Sequence, residues 1–209
     1  MFYRGVGDFD VPLTAVAGAD GGVRVANLGG GPLPAVILFE RRGDKFGYRI
    51  QSDVTGEVSF DAPALIGNLD TLRADLQRTL VKAGLYDREA AAMVDTWRDS
   101  WFEEGARVFY IVPRHTVDAV LPLEITPAPD NLARVFVGRM EVITPATIAT
   151  VHRAIRSNDA TLLARYARFL GPVTERLLAK GTSAASAERI HQLTNGALAS
   201  YARRSTVCE

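Results

Sequence analysis

The sequence predicts an α+β protein with an N-terminal antiparallel β-sandwich-like part, a helical hairpin, a small antiparallel sheet and a helical C-terminal region. Three observations carry that expectation. Up to about residue 64 the chain consists of short apolar or alternating runs, separated by turn residues roughly every ten positions. From Leu65 the apolar period lengthens to three and four residues, the period of an amphipathic helix. From Thr144 the longer period resumes and the chain reads as helical to its end. The 209 residues therefore divide into a β-rich part, 1–64, and an α+β part with a helical C-terminal region, 65–209, one continuous domain being the other division the sequence allows.

In the first part the expected strands are Leu13–Ala17, Gly22–Ala26, Ala35–Glu40, Phe46–Ile50 and Val58–Phe60, with turns at Gly18 to Gly22, Asn27 to Pro34, Arg42-Gly43-Asp44 and Gly56-Glu57. The passage from Val23 to Gly29, then Pro32 to Leu38, looks like the strand–turn–strand pattern of immunoglobulin-like accessory domains in bacterial surface proteins. Gly29-Gly30-Gly31 is not a phosphate loop, because no Lys-Ser/Thr follows and Pro32-Leu33-Pro34 prevents a helix from starting there.

Leu69, Leu72, Leu76 and Leu80 form a narrow apolar stripe, with Gly84 closing the helix. A second helix starts at Asp87 as N-cap, with Glu89 in the first turn where the helix dipole favours an acid. Ala90, Met93, Val94, Trp97 and Trp101 share its apolar face, and Gly105 is expected to supply a left-handed C-terminal cap. The short link makes the pair an antiparallel hairpin. Arg107 to Val112 is apolar on both alternating sets, which predicts a central strand covered on both faces. A helical turn from Thr116 to Val120, an extended Leu121 to Ile125 and a turn at Pro127 to Asn131 follow. A second long strand is expected over Ala133 to Ile143, with Phe136, Met140 and Val142 on one side and Val135, Val137, Arg139 and Glu141 on the other.

Thr144-Pro145 reads as an N-cap with proline at the first helical position. Ile148, Val151 and Ile155 mark that helix. The next starts after Asn158 or Asp159 on a stripe of Leu162, Tyr166, Phe169 and Leu170, with Pro172 expected to kink or end it and Gly181 to end its continuation. Ser183 or Ser186 begins the last helix, with Ile190, Leu193, Leu198 and Tyr201, and fraying is expected from Arg203 on.

Composition excludes more than it assigns. Apolar residues make up 47% and charged residues 23% of the chain, as in ordinary globular proteins. The net charge of zero argues against a general attraction to nucleic acid or an anionic membrane. Glu57 to Glu104 is acidic by about five charges and the tail from Thr144 is basic by about five, so two regions of opposite sign are expected to pack together. Cys208, the single cysteine, precludes an intrachain disulfide and a cysteine-based metal site. No signal peptide and no membrane-spanning window is read in the chain. As given it reads as cytoplasmic, and as exported if the true start lies upstream of Met1.

The candidate site residues are Trp97, Trp101, Glu103, Glu104, Arg107, Arg114 and His115. Glu103 and Glu104 end the tryptophan helix. Adjacent helical residues do not face each other, so they are not a paired-carboxylate site, but one of them in a cleft would serve as a general acid or base. Two acids at a helix C-terminus oppose its dipole, and Arg107 or a ligand cation is expected to compensate. Trp97 and Trp101, one turn apart, make either a stacking platform for a sugar or aromatic ligand or an anchor of the hairpin on the sheet. Aromatic stripes at helical spacing mostly fill cores, so anchoring is expected. His115, His152 and His191 show no metal-ligand spacing, and Arg114-His115 is retained because it follows the central strand at Pro113. No Gly-x-Ser-x-Gly elbow is present. No metal and no cofactor is read from these residues.

The combination Thr96 to Gly105, Phe109-Tyr110-Ile111-Val112-Pro113 and Val135 to Glu141 resembles a family of bacterial proteins, and Phe2 to Gly7 looks like an internal segment of them. The resemblance covers most of the chain up to about Leu170 and implies no activity, cofactor or catalytic residue. It does imply that the chain begins where its relatives are already under way. The functional expectation is a non-enzymatic ligand-binding or protein-interaction protein of the bacterial envelope, with a small molecule or a protein as its partner and no nucleic acid. The alternative is a hydrolase with a carboxylate-based site near Glu103/Glu104 and Arg114/His115.

Overall fold

Alternation of buried and exposed side chains sets the first two layers. In the computed structural model, which describes residues 10–179 and 183–205 without the side chains of the last two, the strand elements open with β1 (Leu13–Ala17), β2 (Val23–Asn27), β3 (Leu33–Arg42), β4 (Lys45–Val54) and β5 (Glu57–Phe60). β6 (Gly105–Ile111) and β7 (Val137–Val142) come after the helical hairpin. They form two antiparallel sheets, one of three strands in the order β1-β2-β5 and one of four in the order β4-β3-β6-β7. Leu13, Val23, Val25 and Phe60 of the first meet Val36, Leu38, Val108, Tyr110 and Val142 of the second in one core. This is the α+β architecture expected, with strands first and helices after. Phe2 to Gly7, Gly181 and Cys208 lie outside the described residues.

The other face of the four-stranded sheet carries Ala35, Ile37, Phe39, Phe109 and Ile111, and the hairpin of α1 (Leu69–Lys82) and α2 (Asp87–Trp101) covers it. Leu72, Leu76 and Leu80 of α1 are buried, each contributing about 1.5–3 kcal/mol by leaving water. Leu69, the first residue of the expected stripe and of α1, is 43% exposed. Asn68 caps α1, accepting from the N–H groups of Asp70 and Thr71. α2 begins one residue earlier than expected: Asp87 is its first residue, and the Glu89 carboxylate accepts from the Tyr86 N–H at 3.0 Å.

β6, flanked by β3 and β7 and layered between the small sheet and the hairpin, is buried at every residue. That explains its apolar composition on both faces. It also joins the two stretches 1–64 and 65–209 within one sheet, since Val36↔Tyr110 through Arg41↔Gly105 pair across it. A strap from Asp61 to Asn68 leaves β5 and crosses the outer edge of β4 to reach α1. The Gly67 N–H donates to the Phe46 carbonyl at 2.7 Å, and a Cβ at Gly47 would stand 2.2 Å from the Ala64 carbonyl oxygen, so only glycine admits the crossing.

The short helix α3 (Arg114–Val120) and an irregular loop link β6 to β7. Leu121 to Ile125 pairs with no strand among the described residues, and Leu123 and Ile125 are exposed. β7 is shorter than the expected Ala133 to Ile143, though its two faces divide as anticipated, with Phe136 and Met140 against one core and Val135 and Val137 against the other.

Four helices follow among the described residues: α4 (Pro145–Ser157), α5 (Ala160–Arg165), α6 (Ala167–Leu178) and α7 (Ala184–Ser205). Thr144 caps α4 with Pro145 in its first turn, and Asp159 caps α5 by accepting from the Leu162 N–H. Val151, Leu163, Phe169, Leu170, Val173 and Ala197 make their common core. The interruption falls at Tyr166 and not at Pro172, which lies inside α6; the chain bends there while burying the Tyr166 ring against Phe169. On α7 the buried positions are Thr194 and Ala197, whereas Leu198 is 40% exposed and the helix continues past Arg203.

Gly105 does not cap α2. The helix ends at Trp101 with Phe102 as its cap, and Gly105 opens β6 at φ +94°, where the Phe169 ring of α6 presses on it. A Cβ there would stand 2.3 Å from Phe169 Cε2. Gly105→Ala is therefore expected to lose about 2 kcal/mol or more from backbone strain and overlap together, read as a lower urea midpoint at unchanged slope.

Candidate functional site

The end of α2 is where most of the sequence candidates meet. A helix terminus leaves its last carbonyls without intrahelical donors, and here the terminus is enclosed between the sheet and the C-terminal helices. Arginines supply the donors. Arg107, fully buried in β6, donates Nη1 to the carbonyls of Trp101 at 2.9 Å and Glu103 at 2.5 Å, and Nη2 to that of Glu104 at 2.6 Å. Arg41 of β3 donates to the Phe102 carbonyl at 3.0 Å, and Arg139 of β7 to that of Ser100. Each carbonyl from Ser100 to Glu104 thus accepts from a guanidinium, and the cation compensates the helix dipole as expected of Arg107. Burial, with Arg139 nearby, pushes the Arg107 guanidinium down to about 9, so it remains charged at neutral pH. The Phe39 ring lies 5.7 Å beneath it.

The two carboxylates face outward from this turn into the C-terminal helices. Glu103 Oε2 accepts from Arg139 Nη2 and Arg168 Nε, both at 2.8 Å, and Oε1 from the Tyr201 hydroxyl at 3.0 Å. One side chain thereby ties β7, α6 and α7 together. Glu104 accepts the Gly43 N–H with both oxygens at 3.0 Å, and the Tyr166 hydroxyl and Arg165 approach it at 3.5 and 3.9 Å. Glu141 adds a third carboxylate, paired with Arg139. Burial pushes the Glu103 carboxyl up, but the hydrogen bond and charge of Arg139, then Arg168, outweigh it and hold the group below the ordinary value. Burial and Glu104 push the Tyr166 hydroxyl up to about 12.

The remaining candidates are placed elsewhere. Trp101 is buried with its ring 5.7 Å from that of Phe109, and Trp97 is half-buried against the same core, so both anchor the hairpin on the sheet. Arg114 and His115 are exposed at the far end of β6. Seven strand residues at about 3.3 Å each set roughly 20 Å between them and Glu103/Glu104. Arg114 is committed to Asp118 at 2.7 Å and to the Leu132 carbonyl at 2.8 Å, which fastens the loop after α3. Glu103/Glu104 and Arg114/His115 are thus not assembled into one site. No group of three or more His, Cys, Asp or Glu side chains suited to a metal occurs among the described residues.

A second region of interest is a concavity at the opposite margin of the sheet. A cleft of about 730 Å³ opens between the outer part of β4 and α1, within the range of small-ligand sites, and the strap closes one end. Its floor is Ala35, Tyr48 and Ile50, and its far wall is the α1 face formed by Asp75, Arg78, Thr79 and Lys82. Tyr48 donates its hydroxyl to Asp75 Oδ2 at 2.6 Å, and Arg78 pairs with the other oxygen. Burial, then Asp75, pushes the Tyr48 hydroxyl up to about 12, so it stays protonated. Thr79 is committed to the Asp75 carbonyl. The cleft offers hydrogen-bonding and apolar surface without a poised nucleophile or base. None of the seven candidates lines it. The signals available in the sequence were the second stripe of α1 at three- and four-residue steps and the tyrosine of an edge strand.

Comparison of the chain with protein-family models, with curated proteins and with solved structures finds no match.

The lowered Glu103 carboxyl has a consequence for acid stability. Its contribution is complete above the ordinary glutamate value of 4.5 and is lost as pH falls through the lower folded value. Glu103→Gln is expected to be less stable at pH 7 and to show a shallower loss of stability below about pH 4.5, measured by urea unfolding at a series of pH values.

Proposed function

We propose that the protein is a non-enzymatic binding or interaction protein of the bacterial envelope and that its recognition site is the cleft between β4 and α1. The observation that carries the reading is the contrast between the two polar regions. At the α2 terminus each acid is taken up by arginines, backbone and tyrosines that hold the fold together. The cleft, by comparison, is open, half apolar, and lined by the exposed Arg78 and Lys82. The strand order β1-β2-β5 against β4-β3-β6-β7, antiparallel throughout, supports an immunoglobulin-type sandwich with the α1–α2 hairpin inserted between its fifth and sixth strands. The bacterial and envelope setting rests on the likeness of Val23 to Leu38 to accessory domains of bacterial surface proteins and of Thr96 to Gly105 to bacterial relatives. No helix among the described residues is long and apolar enough to cross a membrane.

Screening a fragment library against the isotope-labelled chain by NMR tests the reading. Shift changes confined to Tyr48, Ile50, Arg78 and Lys82 are expected, and binding is expected to weaken in Arg78→Glu/Lys82→Glu. Turnover of chromogenic esters, glycosides or phosphoesters that disappears in Glu103→Gln or Glu104→Gln would overturn it in favour of a hydrolase.

A further inference from the structure

The outer edge of β4 carries more information than the cleft volume alone. In an antiparallel strand each residue turns its N–H and C=O to the same side, and successive residues alternate. The Phe46 carbonyl is taken by the strap's Gly67 N–H, so Phe46 faces away from β3. The β3–β4 register runs without a bulge from Arg42↔Lys45 to Leu33↔Val54. Tyr48, Ile50 and Ser52 therefore also turn their main-chain groups outward. β3 is the one strand hydrogen-bonded to β4 among the described residues, and the strap ends its cover at Phe46. What remains is an unpaired edge of about six residues, from Tyr48 to Asp53, with the side chains of its outward-facing residues along the cleft floor and α1 along one side.

Charge decides what fits there. The α1 wall presents Arg78 and Lys82 one turn apart, whereas Arg49, opposite Leu38 in the register, turns its side chain to the other face of the sheet. Asp75 is already held by Tyr48 and Arg78, whereas Lys82 makes no ion pair among the described residues. Ile66, 89% exposed on the strap, and Ile50 and Ala83 add apolar lining. A second copy of the chain fits poorly. Symmetric pairing through β4 sets both α1 helices on one face of a continuous sheet, with Arg78 and Lys82 opposing their counterparts, and like charges in that arrangement repel.

Resting on the reading of this cleft as the recognition site, we infer that its occupant is an extended peptide segment of a partner protein. The segment pairs as an additional strand with Tyr48, Ile50 and Ser52 and alternates apolar residues with acidic ones that meet Lys82 and Arg78 on the α1 face. Main-chain pairing supplies affinity, and the α1 wall selects the side chains. The edge also explains its own protection: exposed cations and a covering strap keep β4 from pairing indiscriminately.

The test uses the whole chain and a fluorescein-labelled short peptide alternating valine with glutamate. Two controls carry lysine for glutamate or N-methylated alternate amides. Saturable binding of the acidic peptide alone is expected, at least about tenfold weaker in Arg78→Glu/Lys82→Glu, both substitutions lying on the exposed side of α1. Hydrogen exchange at the Tyr48, Ile50 and Ser52 amides is expected to be fast without peptide and slowed with it, while Gly47, Arg49 and Gln51 are slow in both. Equal binding of the lysine or N-methylated peptide, absence of saturable binding, protection at other amides, or slow exchange at Tyr48, Ile50 and Ser52 that depends on protein concentration without peptide would each overturn the inference. Fragments that map to the cleft while peptides do not bind would overturn the peptide and leave the proposed function standing.

Discussion

The carbonyls that end α2 have to be satisfied inside the protein, and the structure is arranged around doing so. A buried carbonyl without a donor costs about 1–3 kcal/mol, so leaving this turn without donors, with Trp101 and Phe102 buried and Ser100, Glu103 and Glu104 half-buried, would remove a large part of the stability of an ordinary domain, about 5–15 kcal/mol. Arg41, Arg107 and Arg139 come from three adjacent strands, β3, β6 and β7, and converge on the carbonyls from Ser100 to Glu104. Only a planar, many-donor cation can cap several carbonyls from one position, which is why a lysine would not serve at Arg107. Burying that charge is costly, and the carbonyls, the Phe39 face and the nearby Glu141 and Glu103 offset the cost.

The same requirement explains where the carboxylates went. Three strand arginines beneath the turn and two helix arginines, Arg165 and Arg168, above it gather positive charge that Glu103, Glu104 and Glu141 offset in part. Opposite-sign contact between the acidic middle and basic tail of the chain is concentrated here. Because Glu103 reaches Arg139, Arg168 and Tyr201 at once, the α2 terminus holds the C-terminal helices on the sandwich. Acids bound in this way are poor proton-transfer groups, since their protonation breaks the joint. The margin of the sheet at β4 carries no such load, and its outer edge pairs with no strand among the described residues.

How much of this could be read from residues varied with the range of the interaction. Local chemistry was legible: Thr144-Pro145 starts a helix, the leucine steps make α1, and the doubly apolar run after Gly105 is the central strand. The tryptophans anchor the core as their spacing implied. Gly105 was misplaced because sequence shows that glycine permits a left-handed turn, not that Phe169, more than sixty residues on, needs the space. Likewise Glu103 and Glu104 stood out as adjacent acids, but their partners Arg139, Tyr166, Arg168 and Tyr201 are distant in the chain. The pairing of Glu103/Glu104 with Arg114/His115 failed because both ends of one strand look close in a sequence and lie roughly 20 Å apart in a sheet. The cleft was invisible for a related reason, since an edge strand differs from an interior one only in what fails to pair with it.

The central claim is that the arginine-capped terminus of α2 makes the sandwich and the C-terminal helices one cooperative unit. Urea unfolding followed in parallel by the fluorescence of Trp97 and Trp101, which sit beside that terminus, and by far-ultraviolet circular dichroism, which is dominated by the helices, tests it most directly. Superimposable transitions with a common midpoint and slope are predicted by this account. A separate helical transition, displaced from the tryptophan signal, would contradict it.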